Sequence, residues 1–442
     1  MKLLYALVIL SLFNSCSFDN KSGIWKNENS VTNKKDDNVF KDFEKIISST
    51  ESFNDVIQLD TKFNFNLKKN YQNDSWLDIF YNDNNNIDNL SFSDKNKVFL
   101  KSKKLTKYQI NKYTLFENNN FIFSDEAGNI IVYSLSKNLI IAKKNFYKKK
   151  YKNIKKKLNI IIKDNIIYVS DNIGYVYAYN YEIDQMLWAK DFKTPFRSNI
   201  KISSKNLIVS NENNDLLILN INTGDLKKLI PSEEMTINNS FINNIVLGNE
   251  EIFFLNTYGS LYSIDNNDFR INWFINLNNT LDLSPNSLFF GSSAVYNNQK
   301  VLLSSSENFY ILNGKNGSVF HKKNLSSLFK PIINNKYIFL VTKNNFLISM
   351  ELESGKIIYS YDISQKVANF INSKKKKLEI KNFMIINDSI YLFLKNSHVI
   401  QFNINGEITK IVKLPSNLKS YPIFAKNYLL YLDKKNKLFV IN

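Results

Sequence analysis

The chain has one cysteine and two histidines in 442 residues, and its 40 acidic side chains are outnumbered by 58 basic ones. A single thiol, Cys16, excludes an internal disulfide and any metal cluster built on cysteine. No Asp- or Glu-rich cluster has the spacing of a calcium loop, and neither a Ser-His-Asp arrangement nor a glycine-rich phosphate loop stands out. The first apolar run, Leu3 to Leu12, is too short to span a bilayer. These absences remove most routes to metal, acid-base or nucleotide chemistry.

Apolar and aromatic residues are abundant. Hydrophobic side chains make up 44% and aromatics 14% of the chain, ample for a large packed core. The net charge of +18 raises nucleic acid or an anionic surface as a partner. The densest runs, Lys148 to Lys150, Lys155 to Lys157 and Lys374 to Lys377, each fall between apolar strand-like segments and read as solvated loops. No nucleic-acid partner is therefore expected. The accompanying excess of Asn, Ile, Tyr and Phe is spread along the chain and reads as a coding bias.

Lys2, the apolar run and Ser15 before Cys16 form a short secretory signal over residues 1–15. From Ser17 to about Asn38 the composition is Asn, Lys, Asp and Ser, which cannot bury a core and reads as a tether. Phe40 to Ile47 suggests a short helix and Val56 to Leu67 a strand outside any repeat, so residues 16–90 are expected to be tether and irregular segment.

Residues 91–442 are expected to be one β-propeller. Residues 121–133 have the form strand, tight turn, strand, and 166–180 repeat it more clearly. Aligned turn positions are Gly128, Gly174, Asn214, Gly259, Glu307, Asn345, Ser397 and Asn436, with a mean spacing of 44 residues. That period belongs to blades of four antiparallel strands, here eight of them. Gly and Asn dominate because the turn needs a residue that tolerates positive φ; Glu307 and Ser397 depart from the rule. A second turn recurs in phase at Gly224, Gly317, Gly355 and Gly406. Trp188, Trp273, His321 and Tyr359 share one position on the fourth strand, where a ring would fill the seam between blades. Such a place makes His321 a packing residue, and His398 lies in another copy. The last copy ends at Asn442 without its fourth strand, so Val98 to Leu105 is expected to supply it and close the ring.

An Asx, a Thr-Gly-like turn and a Trp, as in Asn180 to Trp188, Asn220 to Gly224 and Asp265 to Trp273, resemble the quinoprotein-type (PQQ-like) propeller repeat. Two families carry it, the pyrroloquinoline-quinone dehydrogenases and BamB, the lipoprotein of the outer-membrane β-barrel assembly machinery. The signal resembles that of a bacterial lipoprotein, which implies acylation of Cys16, and Ser17 resembles an outer-membrane address. Ring size, Cys16 and the tether look like BamB. That resemblance implies a non-enzymatic scaffold without cofactor or metal at the periplasmic face of the outer membrane. Its partners would be the BamA-like barrel insertase, through its periplasmic domains, and nascent outer-membrane proteins. Phe196 and Arg197, after the Trp188 strand, look like the element by which BamB-like proteins contact the insertase. The alternatives are an exposed docking pair or an inward-packing connector. For the whole chain they are a quinone-binding dehydrogenase using the central channel, which usually needs adjacent cysteines that are missing here, or a lipoprotein propeller binding another envelope component.

Overall fold

The computed structural model describes residues 53–234, 240–278, 289–327 and 329–442. Cys16, the tether and the helix expected over 40–47 lie outside them. After β1 (Val98–Lys104), the first strand-turn-strand unit forms β3 (Asn120–Asp125) and β4 (Asn129–Ser134), between β2 (Ile110–Glu117) and β5 (Leu139–Asn145). The pairing is antiparallel in the order β2-β3-β4-β5. Every residue of β4 is buried, whereas β5 alternates. A strand covered on both faces reads as a continuous apolar run, and Ile130 to Tyr133 is one.

The unit repeats as β6–β9 (158–191), β10–β13 (201–230), β14–β17 (244–276), β18–β21 (295–323), β22–β25 (332–362) and β26–β29 (380–413). The eighth sheet has the order β1-β32-β31-β30, joining β30 (Ile423–Ala425), β31 (Tyr428–Leu432) and β32 (Lys437–Ile441) to the N-terminal strand. Val98 faces Ile441 and Lys101 faces Phe439. The molecule is therefore an eight-bladed β-propeller of four-stranded antiparallel blades, closed by β1 as expected. The widest turn spacing, Asn345 to Ser397, arises because α1 (Ile363–Phe370) is inserted between blades six and seven, its N-terminus capped by Asp362.

Seven of the eight aligned turn positions have positive φ, from 59° at Asn436 to 113° at Gly174; Glu307 does not. Its turn is closed by the Ser305 hydroxyl, which accepts from the backbone N–H of Asn308. The ring position and the second turn interlock. Trp188, Trp273, His321 and Tyr359 each hydrogen-bond a carbonyl in the next blade, at Ile221 (2.9 Å), Gly314 (3.0 Å), Glu353 (2.7 Å) and Ile404 (3.0 Å). A Cβ on Gly317 would stand 2.6 Å from Trp273, so glycine is required there by contact as well as by its φ of +73°.

No strand forms over 56–67. Ile57 alone makes a bridge, exchanging backbone bonds with Ser360 on the edge of blade six. The alternation that suggested a strand instead places Phe63 and Phe65 against Tyr337. From Phe53 onward, the described residues belong to one compact unit.

Candidate functional site: a plugged central channel

The innermost strand of each blade has one edge facing the central axis, where its N–H and C=O groups need partners. The irregular segment 73–92 supplies them blade by blade. Trp76 exchanges both backbone bonds with Phe116 of β2, and the Leu77 carbonyl accepts from Ile162 of β6 (Leu158–Lys163) at 2.9 Å. The carbonyls of Asp83 and Asn84 accept from Leu247 of β14 (Asn244–Leu247) and Tyr296 of β18 (Val295–Asn297). The Asn86 amide pairs in both directions with Ile333 of β22 (Ile332–Asn334), at 2.8 and 2.9 Å. Leu90 donates to Ile385 of β26 (Ile380–Ile386), and Asn73 donates to the Phe424 carbonyl of β30. Blade three contributes a lysine: Lys201, at the start of β10 (Lys201–Ser203), reaches the Asp78 carboxylate and the Asn82 carbonyl, both at 2.6 Å.

Apart from Lys201, whose long side chain reaches across, these contacts lie at or near the last residues of the inner strands, so the segment covers the channel mouth where first and second strands turn. Its Asn residues have a structural task that the coding-bias reading missed. Asn85 adopts a φ of +59° and donates its side-chain amide to Ala294 and Ile245 of neighbouring blades. A short amide side chain can both enter the left-handed region and imitate a strand's backbone pairing.

Between the plug and the inner strands lies a partly open pocket of about 150 Å³. Trp76, Phe80 and Ile87 of the plug line it together with Tyr113 and Thr114 of β2, and Lys330 and Lys381 of blades six and seven. The Lys330 ammonium donates to the carbonyls of Phe80 (2.6 Å) and Asn85 (2.7 Å). Burial, reinforced by the Lys201 charge and opposed by Asp78, brings its pKa down to about 7. Lys381 donates to the Lys419 carbonyl at 2.5 Å; burial first, then repulsion from Lys112, Lys419 and Lys434, lowers it to about 8. Among the described lining residues there is no carboxylate. Nor do the described residues contain a group of three or more His, Cys, Asp or Glu able to hold a metal ion.

The residues singled out from sequence do not converge on this site. Phe196 is buried against its own blade pair, with Phe192 edge-on at 5.6 Å, so the ring is not the exposed aromatic of a docking pair. Its backbone N–H donates to the Asp171 carbonyl, and the flanking bonds from Arg197 N–H to Ser210 and from Glu212 N–H to Pro195 set it opposite Asn211 and hold it inward. Arg197 is partly exposed and donates to the Phe241 carbonyl at 2.6 Å. His321 packs in its seam, and His398 lies beside Asn396 in blade seven. The lysine runs are solvated except for Lys156, which is buried under the Tyr147 ring with its ammonium on the Tyr151 carbonyl. No periodic signal marks residues 73–92 in the sequence.

Solved structures similar to this one include BamB from Moraxella catarrhalis, at 12% identity and a TM-score of 0.62, covering 78% of this chain and 99% of that one. A europium-containing methanol dehydrogenase aligns at 8% identity and a TM-score of 0.62, over 83% and 89% of the two chains. The quinohemoprotein alcohol dehydrogenase of Comamonas testosteroni gives 8% identity and a TM-score of 0.60, over 83% and 80%. At such identities the likeness is one of fold. No curated protein matches in sequence. A family model described as outer membrane protein assembly factor BamB matches residues 154–405, more than half of the chain, and the chain belongs to that family.

Proposed function

We propose that this protein is a non-enzymatic scaffold of outer-membrane protein assembly, anchored through an acylated Cys16 at the periplasmic face, which docks on the barrel insertase and assists insertion of β-barrel proteins. Family membership supports the role. The observation that carries the scaffold reading is on the rim. The fourth strands of blades three to five, β13 (Leu226–Ile230), β17 (Ile271–Asn276) and β21 (Val319–Lys323), are sheet edges. They expose Leu226, Leu229, Ile271, Phe274, Val319 and Phe320, with Phe274 62% accessible. An unpaired edge with large apolar side chains offers backbone pairing and contact area to an extended strand or a partner's sheet. Residues 73–92, bonded across the channel mouth, support the scaffold reading over the alternative of a quinone in the central channel.

The test is purification of the tagged full-length chain from gently solubilised envelopes. The insertase is expected to co-purify, and Phe274→Lys combined with Leu229→Lys is expected to reduce its recovery. Arg197→Ala probes the second candidate contact without disturbing the packed Phe196 ring. Loss of the insertase from the parent complex, or robust dye reduction with quinone, calcium and an alcohol or sugar, overturns the reading.

A further inference from the structure

The turn between β23 (Tyr337–Val341) and β24 (Phe346–Glu351) of blade six ties together three separate stretches of chain. The Asn345 carbonyl accepts from Ile363, the first residue of α1, at 2.9 Å, and the Asn345 amide side chain donates to the Leu378 carbonyl at 2.9 Å. Beside it the Asn344 amide reaches the Phe53 carbonyl at 3.5 Å, and the Phe53 ring stands edge-on to Phe346. The described chain therefore enters the ring, from the side of Cys16, at the base of the α1 insertion. That end of the blade is opposite the plugged mouth, because in an antiparallel sheet first and second strands turn at one end and second and third at the other. Residues 369–377 of the insertion are exposed without interruption. They include two adjacent large apolar side chains, Phe370 at 48% and Ile371 at 53% accessible, and end with Lys374, Lys375, Lys376 and Lys377. α1 buries Ile363 and Val367 in the core of blades six and seven and carries Phe370 outward at its C-terminus. Lys375 is paired with Asp362 at 2.5 Å; among the described residues no carboxylate pairs with the other three lysines. The connection from blade one to blade two, at the same end of the ring, repeats the combination, with Ile154 exposed between Lys152 and Lys155.

We propose that the loop 369–377 is a contact for anionic lipid headgroups, so that this end of the ring faces the membrane and the plugged mouth faces away from it. Lysines beside an exposed apolar pair suit a lipid surface: the ammonium groups meet the headgroup phosphates while Phe370 and Ile371 enter the acyl boundary. Each lysine held at such a surface strengthens attachment about fivefold. Phe53 at the base of the loop brings the chain that follows Cys16 to the same end of the molecule, so a lipid anchor and the loop act together. The edge strands β13, β17 and β21 stay open at the side of a ring held in this way. Anchoring at Cys16 belongs to the scaffold reading, whereas lipid contact by the loop is tested without acyl chains, so the two fail separately.

Vesicle sedimentation tests the contact with the full-length chain carrying Cys16→Ser, which removes the acylation site. The vesicles are phosphatidylcholine alone and phosphatidylcholine mixed with phosphatidylglycerol. Binding to the mixed vesicles is expected to be at least about tenfold tighter, and to fall when salt is raised from about 0.1 M to about 1 M. Lys376→Glu with Lys377→Glu, and separately Phe370→Ser with Ile371→Ser, are each expected to weaken it about tenfold with the melting temperature unchanged. A solvatochromic dye on Ile371→Cys, then the only cysteine, is expected to shift to the blue with mixed vesicles and not with pure phosphatidylcholine. Equal binding to the two kinds of vesicle assigns the attachment to the apolar run Leu3 to Leu12 and overturns the proposal. Unchanged binding in either double variant overturns it too, as does an unshifted dye on vesicle-bound protein. So does binding to heparin, a soluble polyanion, that is as tight as to the mixed vesicles and indifferent to Phe370→Ser with Ile371→Ser.

Discussion

The ammonium of Lys201 and the carboxylate of Asp78 lie 2.6 Å apart with both side chains almost wholly out of solvent, joining the inner strand of blade three to the segment that plugs the channel. Two buried charges are tolerable because further bonds complete them: Lys201 also reaches the Asn82 carbonyl, and Asp78 accepts from the Phe80 N–H. Removing one partner leaves the other charge buried and alone. Lys201→Met is expected to lower unfolding free energy by about 3–5 kcal/mol. Lys201→Met with Asp78→Leu is expected to recover most of that loss, as read by urea denaturation. Additive losses in the double variant contradict the pairing.

Closure by β1 predicts a strong asymmetry between deletions. Without residues 95–105, β32 loses its outer partner and the Ser102 hydroxyl that accepts from the Leu438 N–H. The stacking of Phe99 on Tyr428 goes too. At roughly 1 kcal/mol for each pairing hydrogen bond, the deletion is expected to remove several kcal/mol. Deleting 20–50 is expected to change the melting temperature little; equal effects contradict the closure.

At the seam between blades four and five, Trp273 and Gly317 act as a unit. Gly317→Ala places a Cβ against the indole at a positive φ and is expected to cost about 1–3 kcal/mol. Trp273→Ala is expected to cost about 3–5 kcal/mol. In the double variant the glycine substitution loses its clash, so the two effects are expected to be less than additive by about 1 kcal/mol. Strict additivity in denaturation midpoints refutes the interlock.

Much of the fold was legible for the reason those seam residues illustrate. A turn at positive φ admits few residue types, and a ring that must reach the next blade recurs at a fixed count from the turn, so Gly128, Gly174, Trp188 and Trp273 carry their roles in sequence. Closure by 98–104 followed from counting strands. The turn at Glu307 escaped the rule because Ser305 closes it through its hydroxyl without a positive-φ residue at Glu307. The plug was illegible because its contacts run from amide and carboxylate side chains and from isolated backbone groups to eight different strands, which imposes no period. Phe196 was placed by a two-residue pattern that cannot tell an inward ring from an outward one. Lys156 sits in a charged run, and only the fold brings Tyr147 over it.

Lys330 and Lys381 also predict how stability depends on pH. Their folded-state values of about 7 and 8 lie below the ~10.4 of a free lysine, so between these values the unfolded chain holds more protons than the folded one. The penalty of burying the charges is full below about pH 7 and fades as pH rises, so stability is expected to increase from pH 7 to 9, by at most about 1.4 kcal/mol per unit for each group. Neutral Lys330 keeps two N–H donors, enough for the carbonyls of Phe80 and Asn85. Lys330→Met is expected to flatten the rise in urea midpoint over that window; an unchanged slope contradicts the assignment.

The most direct test of the scaffold account is crosslinking in intact cells followed by mapping of the joined peptides. The account predicts crosslinks from the periplasmic domains of the barrel insertase to the rim formed by β13, β17 and β21, lost when Leu229 and Phe274 are both replaced by lysine. Crosslinks confined to proteins outside the assembly machinery, or an insertase contact indifferent to those two substitutions, contradict it.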